Sequence, residues 1–169
     1  ARFSSQKDHL CLIKSINLLK DRYKNIRVLL IGSGKKKEEI EYMIEDLKLN
    51  KFFKILRFKK NPYPYIKKSD IFVLSSKFEG LPNVLLESLT LNKFVISSNC
   101  PTGPSEILDN GKGGLLFNVG DYKELSKKIT FAINNKKECK KKLLFAKKRL
   151  HRFDFSKNLL KYYNILNNI

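Results

Sequence analysis

Short apolar runs alternate with amphipathic stretches along this chain. Val28-Leu29-Leu30-Ile31, Ile71-Phe72-Val73-Leu74, Phe94-Val95-Ile96 and Leu115-Leu116-Phe117 are continuously apolar and bounded by polar or glycine residues, and residues 53–58 read as a further strand interrupted by Lys54 and Arg57. That is the pattern of strands buried on both faces. Between them, apolar positions spaced by three and four predict helices over residues 9–22, 36–47, 82–91, 122–134, 138–149 and 156–167. A further strand is expected to end near Arg2. Alternation of strand and helix predicts a Rossmann-like parallel β-sheet with helices on both faces. At 169 residues the chain suits one domain over residues 1–169, with a substantial core.

In open parallel sheets of this kind, ligands bind beyond the C-terminal ends of the strands. Three segments fall there: Arg2, Gly32 and residues 75–80. The last is the richest. It follows the run Ile71 to Leu74, breaks at Gly80, and opens a helix with Pro82 at the expected first helical position. A helix start offers unpaired N–H groups and partial positive charge to a phosphate. Gly80 presents no side chain to hinder close approach. Glu79 and Glu87 stand on either side of this start, and Asn83, Glu87 and Thr90 share one helix face. Carboxylates flanking a phosphate site suit a ligand with a diphosphate at its centre and hydroxylated sugars at both ends, which describes a nucleotide sugar.

The Glu-x7-Glu element with Gly80-Leu81-Pro82-Asn83 inside it resembles the retaining glycosyltransferases of family 4, which have the GT-B fold. Residues 1–9, 61–65 and 100–108 resemble further segments of that family, with Ala1 where a glycine is usual. The nearest likeness is to members that build bacterial capsule, lipopolysaccharide and lipid-linked oligosaccharides. It runs from residue 1 to about residue 130 and covers the C-terminal half of a full enzyme. The chain opens at Ala1, without Met and inside a motif, and is expected to be an excised donor-binding domain whose N-terminal partner is absent.

The resemblance implies roles residue by residue. Glu87 would accept the ribose hydroxyls, and Glu79 would lie near the donor sugar and its reacting carbon. Arg2 and Lys7 would balance the charge that gathers on the departing diphosphate. There is no Asp-x-Asp to hold a divalent metal, so the expected reaction is metal-independent and needs no cofactor beyond the donor. Gly80, Leu81, Pro82 and Asn83 would line the nucleotide. Phe58 would border the base, or else be a plain core aromatic at a strand end. Gly103, Pro104 and Glu106 are expected to shape a cleft-side loop, and Gly113-Gly114 to turn into the last strand. Gly32-Ser33-Gly34 fails as a dinucleotide fingerprint, because Lys37 holds the third glycine's place. It reads as a tight turn that keeps the crevice open. The helix over residues 156–167 would reach back to the N-terminal domain, leaving an apolar strip without a partner here.

Charge modifies this picture in one respect. The net charge is +19, from 35 basic and 16 acidic residues. Contact with nucleic acid or with an anionic membrane would use such charge. The plainer reading is a Lys-rich bias spread over solvated helix faces. The runs at residues 35–37 and 140–142 lack interleaved aromatics, and no specific nucleic-acid partner is expected. Peripheral contact with an anionic membrane is the remaining expectation, since family acceptors are often lipid-linked. Cys11, Cys100 and Cys139 are odd in number and far apart, which argues for a reducing compartment. His9 and His151 stand alone. With no leader and no bilayer-length apolar run, the expected place is the cytoplasm, at the inner face of the plasma membrane.

The sequence therefore reads as a glycosyltransferase domain that binds a nucleotide sugar, UDP-hexose or UDP-N-acetylhexosamine. The acceptor is a glycan or a lipid-linked glycan met through the absent domain. Two alternatives stand beside it, a basic nucleic-acid-binding module and a GT-B relative such as an epimerase or phosphorylase.

Overall fold

A computed structural model describes residues 1–166, apart from the side chains at 157, 161 and 162. Five strands form: β1 (Val28–Ile31), β2 (Phe53–Leu56), β3 (Ile71–Leu74), β4 (Phe94–Ser98) and β5 (Leu115–Phe117). All pairings are parallel, β1 with β2 in one sheet and β3-β4-β5 in a second. The N-terminal segment runs in the seam between them. Arg2 forms a single parallel bridge to Ser33 after β1, and the amide of Lys77 after β3 donates to Gln6 O at 2.8 Å. The expected first strand is thus one bridge at Arg2. Glycine makes this seam possible: a Cβ on Gly32 would overlap Ala1 O, and one on Gly34 would overlap the Phe3 backbone. The Gly32-Ser33-Gly34 turn therefore admits the N-terminal segment rather than holding a ligand crevice open.

The helices are α1 (His9–Asn17), α2 (Lys37–Asp46), α3 (Tyr63–Lys68), α4 (Asn83–Thr90), α5 (Pro104–Ile107), α6 (Tyr122–Asn134), α7 (Lys136–Lys148) and α8 (Phe155–Leu166). Side chains of β4 alternate between two cores. Phe94 and Ile96 join α1, α2 and α6 on one face, while Val95 packs with Leu85, Leu89, Ile107 and Ala146 on the other. Helices therefore cover both faces at β4, as the alternation of elements predicts, while Leu29 of β1 stays 40% exposed.

Several boundaries differ from expectation. β2 stops at Leu56, and Phe58 beyond it is 70% exposed, so it is no core aromatic. α1 ends at Asn17, because Leu19 N bonds back three residues to Ile16 O and the chain turns towards β1. Two short helices, α3 and α5, lie where no helix is predicted. Each carries proline in its first turn, where no intrahelical N–H is needed. α7 starts two residues earlier than predicted, at Lys136. The predicted end of the last helix at residue 167 lies outside the described residues. Its apolar side chains are open as expected, with Phe155 78% and Leu166 70% exposed.

Candidate functional site

Two segments far apart in sequence meet at the C-terminal rim of the sheets. After β3 the chain runs through Ser75, Ser76 and Glu79 to α4. Facing it is the N-terminal stretch Ser4 to Asp8, partly a 3-10 turn. The two are joined by backbone and side chain: Gln6 Nε2 donates to Phe78 O at 2.9 Å, and Ser75 Oγ to Lys7 O at 2.9 Å. At their centre Lys7 Nζ lies 2.6 Å from Glu79 Oε1, and Ser76 Oγ donates to the same oxygen at 2.5 Å. The Glu79 side chain is only 9% exposed and that of Lys7 22%. Two residues singled out separately in the sequence are therefore one sheltered ion pair.

The next layer fixes this pair. Ser76 is fully buried, and its carbonyl accepts from Ser98 Oγ of β4 at 2.6 Å. Thr102 Oγ1 donates to Glu79 O at 2.5 Å. A Cβ on Gly103, whose φ is +73°, would overlap Gly80 O and Pro82 Cδ. The loop at 100–104 thus packs directly on the turn into α4, which gives Gly103 the shaping role expected of it. Gly80 itself has open space where its Cβ would be. Cys100, which opens this loop, is buried, and that burial, with the Glu79 charge adding to it, pushes its thiol pKa up.

Pro82 occupies the cap of α4 with φ −75° and ψ 90°, so the first helical residue is Asn83, one later than predicted. Proline has no side-chain acceptor, and no side chain caps the helix, so the first amides of α4 lack a side-chain partner. Leu81 and Asn83 are exposed beside this end while Pro82 is buried. Glu87 lies one turn into α4 and is half-buried; among the described residues nothing pairs with its carboxylate. Arg2 is exposed on the same rim. No described hydrogen bond or ion pair joins Arg2 or Glu87 to the Lys7–Glu79 pair. Phe58 stands in the loop after β2, two strands away, beside a depression of about 410 Å³ lined by Lys59, Lys60 and Tyr65 among others.

His9, solitary in sequence, opens α1 beneath Lys7. It is 8% exposed, its ring stands edge-on to Phe3 with centroids 5.0 Å apart, and Nδ1 has no hydrogen-bond partner. Burial, with the positive N-terminal amine and Lys7 adding to it, pushes its pKa down to about 4. Sequence reasoning passed over Ser76, Thr102 and His9. Ser76 left one usable signal, a pair of small polar residues, Ser75 and Ser76, directly after an apolar strand at the ligand rim. Among the described residues, no three His, Cys, Asp or Glu side chains gather as a metal site would require.

Comparison with known proteins identifies the family of the chain. The model of the family described as glycosyl transferases group 1 matches residues 1–149. A Campylobacter jejuni protein named N-acetylgalactosamine-N,N'-diacetylbacillosaminyl-diphospho-undecaprenol 4-alpha-N-acetylgalactosaminyltransferase is 30% identical over 164 residues, covering 95% of this chain and 44% of its own length. A glycosyltransferase of Methanocaldococcus jannaschii is 40% identical over 107 residues, 63% of this chain and 26% of its own. Among solved structures, TarM of S. aureus matches with a TM-score of 0.90 at 21% identity, over 99% of this chain and 34% of TarM. HepE of Anabaena, solved in complex with UDP-glucose, matches with a TM-score of 0.88 at 21% identity, over 100% of this chain and 47% of HepE. The chain spans less than half the length of each of these proteins. It belongs to the glycosyl transferases group 1 family, is a glycosyltransferase domain with the fold of those enzymes, and is not favoured as a nucleic-acid-binding module.

Proposed function

We propose that this chain binds the nucleotide-sugar donor, UDP-linked, of a retaining glycosyltransferase that extends a glycan or lipid-linked glycan. The observation that carries the reading is the sheltered Lys7–Glu79 pair beside the uncapped start of α4. Relatives support it: HepE was solved with UDP-glucose, and the Campylobacter jejuni enzyme is named for an undecaprenol-linked substrate.

In this reading the donor's anomeric C–O bond breaks and the electron pair leaves on the diphosphate. An ammonium has three N–H groups, so Lys7 can hold Glu79 with one and meet phosphate oxygens with the others. Arg2 and the first amides of α4 add positive potential where that charge develops. Glu79, screened by Lys7 and Ser76, faces the donor sugar. Glu87 receives the ribose hydroxyls, Gly80 to Asn83 line the nucleotide, and Phe58 borders the base. No metal is needed for this charge balance. The acceptor and the rest of the transfer machinery belong to the part of such enzymes that this chain does not span. Residues 1–169 alone are therefore expected to bind donor yet transfer no sugar. The reading extends to a cytoplasmic enzyme working at an anionic membrane surface, where a lipid-linked acceptor would be met.

Titration calorimetry with UDP, GDP and CDP, each with and without chelator, tests this. UDP is expected to bind best, with the same affinity in both conditions. Absence of UDP binding at millimolar concentration, or strict dependence on magnesium or manganese, would overturn it.

A further inference from the structure

Charge on this molecule is unevenly distributed. α2 carries five acidic residues in ten, four of them exposed. α7 is the opposite: seven of its thirteen residues are lysine and one is acidic. At about 100° per residue, Lys136, Lys137, Lys140, Lys141, Lys147 and Lys148 fall within an arc of about 140°. All six are exposed. Leu144, 50% exposed, sits at the middle of that arc. Glu138 lies outside it and reaches Lys141 at 3.9 Å, and Lys147 meets Asn92. Cys139 and Ala146 fill the opposite, buried side.

Helix stability accounts for only two of the six, Lys147 and Lys148 in the last turn, where the helix dipole favours cations. Lys136 and Lys137 stand in the first turn, where the helix dipole repels cations. Crowded like charges on one face repel each other as well. A uniform lysine bias does not account for it either, given the acidic face of α2.

We infer that this face of α7 docks on an anionic lipid surface. The lysines suit the negative potential of such a surface, and Leu144 is placed to enter the headgroup boundary between them. The arc contains no aromatic to stack bases and no arginine to fork onto phosphates, so single-stranded nucleic acid is the poorer partner. The inference rests on the proposed function for its purpose: a donor site held near the membrane would meet a lipid-linked acceptor there.

Co-sedimentation with vesicles tests it, using phosphatidylcholine alone or with about 30 mol % phosphatidylglycerol at about 150 mM salt, near physiological screening. The variant Lys137→Glu/Lys140→Glu/Lys141→Glu/Lys148→Glu is compared with Lys24→Glu/Lys51→Glu/Lys54→Glu/Lys60→Glu, which makes the same charge change elsewhere. Lys→Gln versions of both sets, checked by circular dichroism, guard against misfolding. Wild type should bind only the anionic vesicles, the α7 variant at least about tenfold more weakly, and the control within about threefold of wild type. Equal losses in both variants, equal binding to neutral vesicles, or binding to poly(U) but to no vesicle would overturn it. UDP calorimetry on the same variants separates the two ideas: lost vesicle binding with intact UDP binding sinks the docking face alone. Intact vesicle binding without UDP binding sinks the donor site alone.

Discussion

Removing Lys7 should destabilise the fold more than removing Glu79, and removing both should cost less than the sum. Lys7→Met deletes the ammonium 2.6 Å from Glu79 and leaves a carboxylate whose side chain is 9% exposed. Only the Ser76 hydroxyl would then meet Oε1. Breaking a fully buried pair from one side costs about 3–5 kcal/mol. Lys7 is 22% exposed, so water can enter where it stood and the expectation falls to about 2–3 kcal/mol. Glu79→Gln keeps an acceptor for Ser76 and leaves a cation that solvent can reach, for a loss of about 1 kcal/mol.

The double variant leaves an amide beside a thioether and no stranded charge. It should lose about 2 kcal/mol, which gives a coupling of about 1.5 kcal/mol between the two positions. Urea unfolding followed by circular dichroism measures all four proteins. With a slope of about 2 kcal/mol per molar, the Lys7→Met midpoint should move down by about 1 M. High salt should change the coupling little, because the pair is sheltered. Additivity within about 0.5 kcal/mol would refute the pair as an energetic unit. So would a Lys7→Met protein as stable as wild type.

Glu87→Gln should weaken UDP binding by about 1.5–3 kcal/mol in calorimetry while leaving the unfolding midpoint unchanged, because no described side chain depends on that carboxylate. Gly103→Ala should destabilise by about 2 kcal/mol or more, since φ is +73° and the new Cβ meets Gly80 O and Pro82 Cδ. Gly80→Ala, whose Cβ has open space, should leave the urea midpoint in place yet weaken UDP; equal effects of the two on stability would contradict this account of the loop. Folded His9 stays neutral down to about pH 4, whereas the unfolded chain takes up that proton near pH 6.5. More protons are bound unfolded between those values, so stability should fall as pH drops through this window, by up to about 3 kcal/mol. His9→Gln should flatten the urea midpoint between pH 6.5 and 5, and an unchanged slope would acquit His9.

The legible parts of this molecule were those with a repeating signal or a spaced motif. The run at Phe94 is apolar because side chains pack on both sides of it, and continuous apolarity survives in sequence; Val28–Ile31 reads the same although Leu29 is 40% exposed. Phe58 misled because an apolar residue two positions beyond Leu56 extends a strand pattern whether or not the chain keeps pairing; the backbone leaves the sheet after Leu56. α3 and α5 were hidden because Pro62, Pro64 and Pro104 read as breaks, although proline is tolerated in a first turn. Glu79 and Lys7 were each visible, but they stand 72 residues apart and their contact depends on a seam between two sheets. No spacing rule spans that distance. The hydroxyls of Ser76 and Thr102 make one hydrogen bond each, and a lone hydroxyl in a sequence says nothing about its acceptor.

That seam also decides how the site can work. The N-terminal segment is held by backbone bonds to both sheets, and Gly32 and Gly34 are the positions where it comes closest to β1's end. Lys7 is therefore anchored on one side and Glu79 on the other, with Ser98 and Thr102 bracing the Glu79 loop. An ammonium positioned this way loses little further freedom when an anion arrives. Its pairing with Glu79 also lowers the bare positive potential of the pocket, so phosphate alone should be a poor ligand. A molecule offering hydroxyls to the carboxylate and phosphate oxygens to the ammonium satisfies both partners without stranding either. On the proposed function, selectivity for a sugar joined to a diphosphate would follow from one ion pair rather than from two independent subsites. On a surface carrying a net charge of +19, that local neutrality separates this pair from the surrounding lysines, any of which would attract an anion with little discrimination.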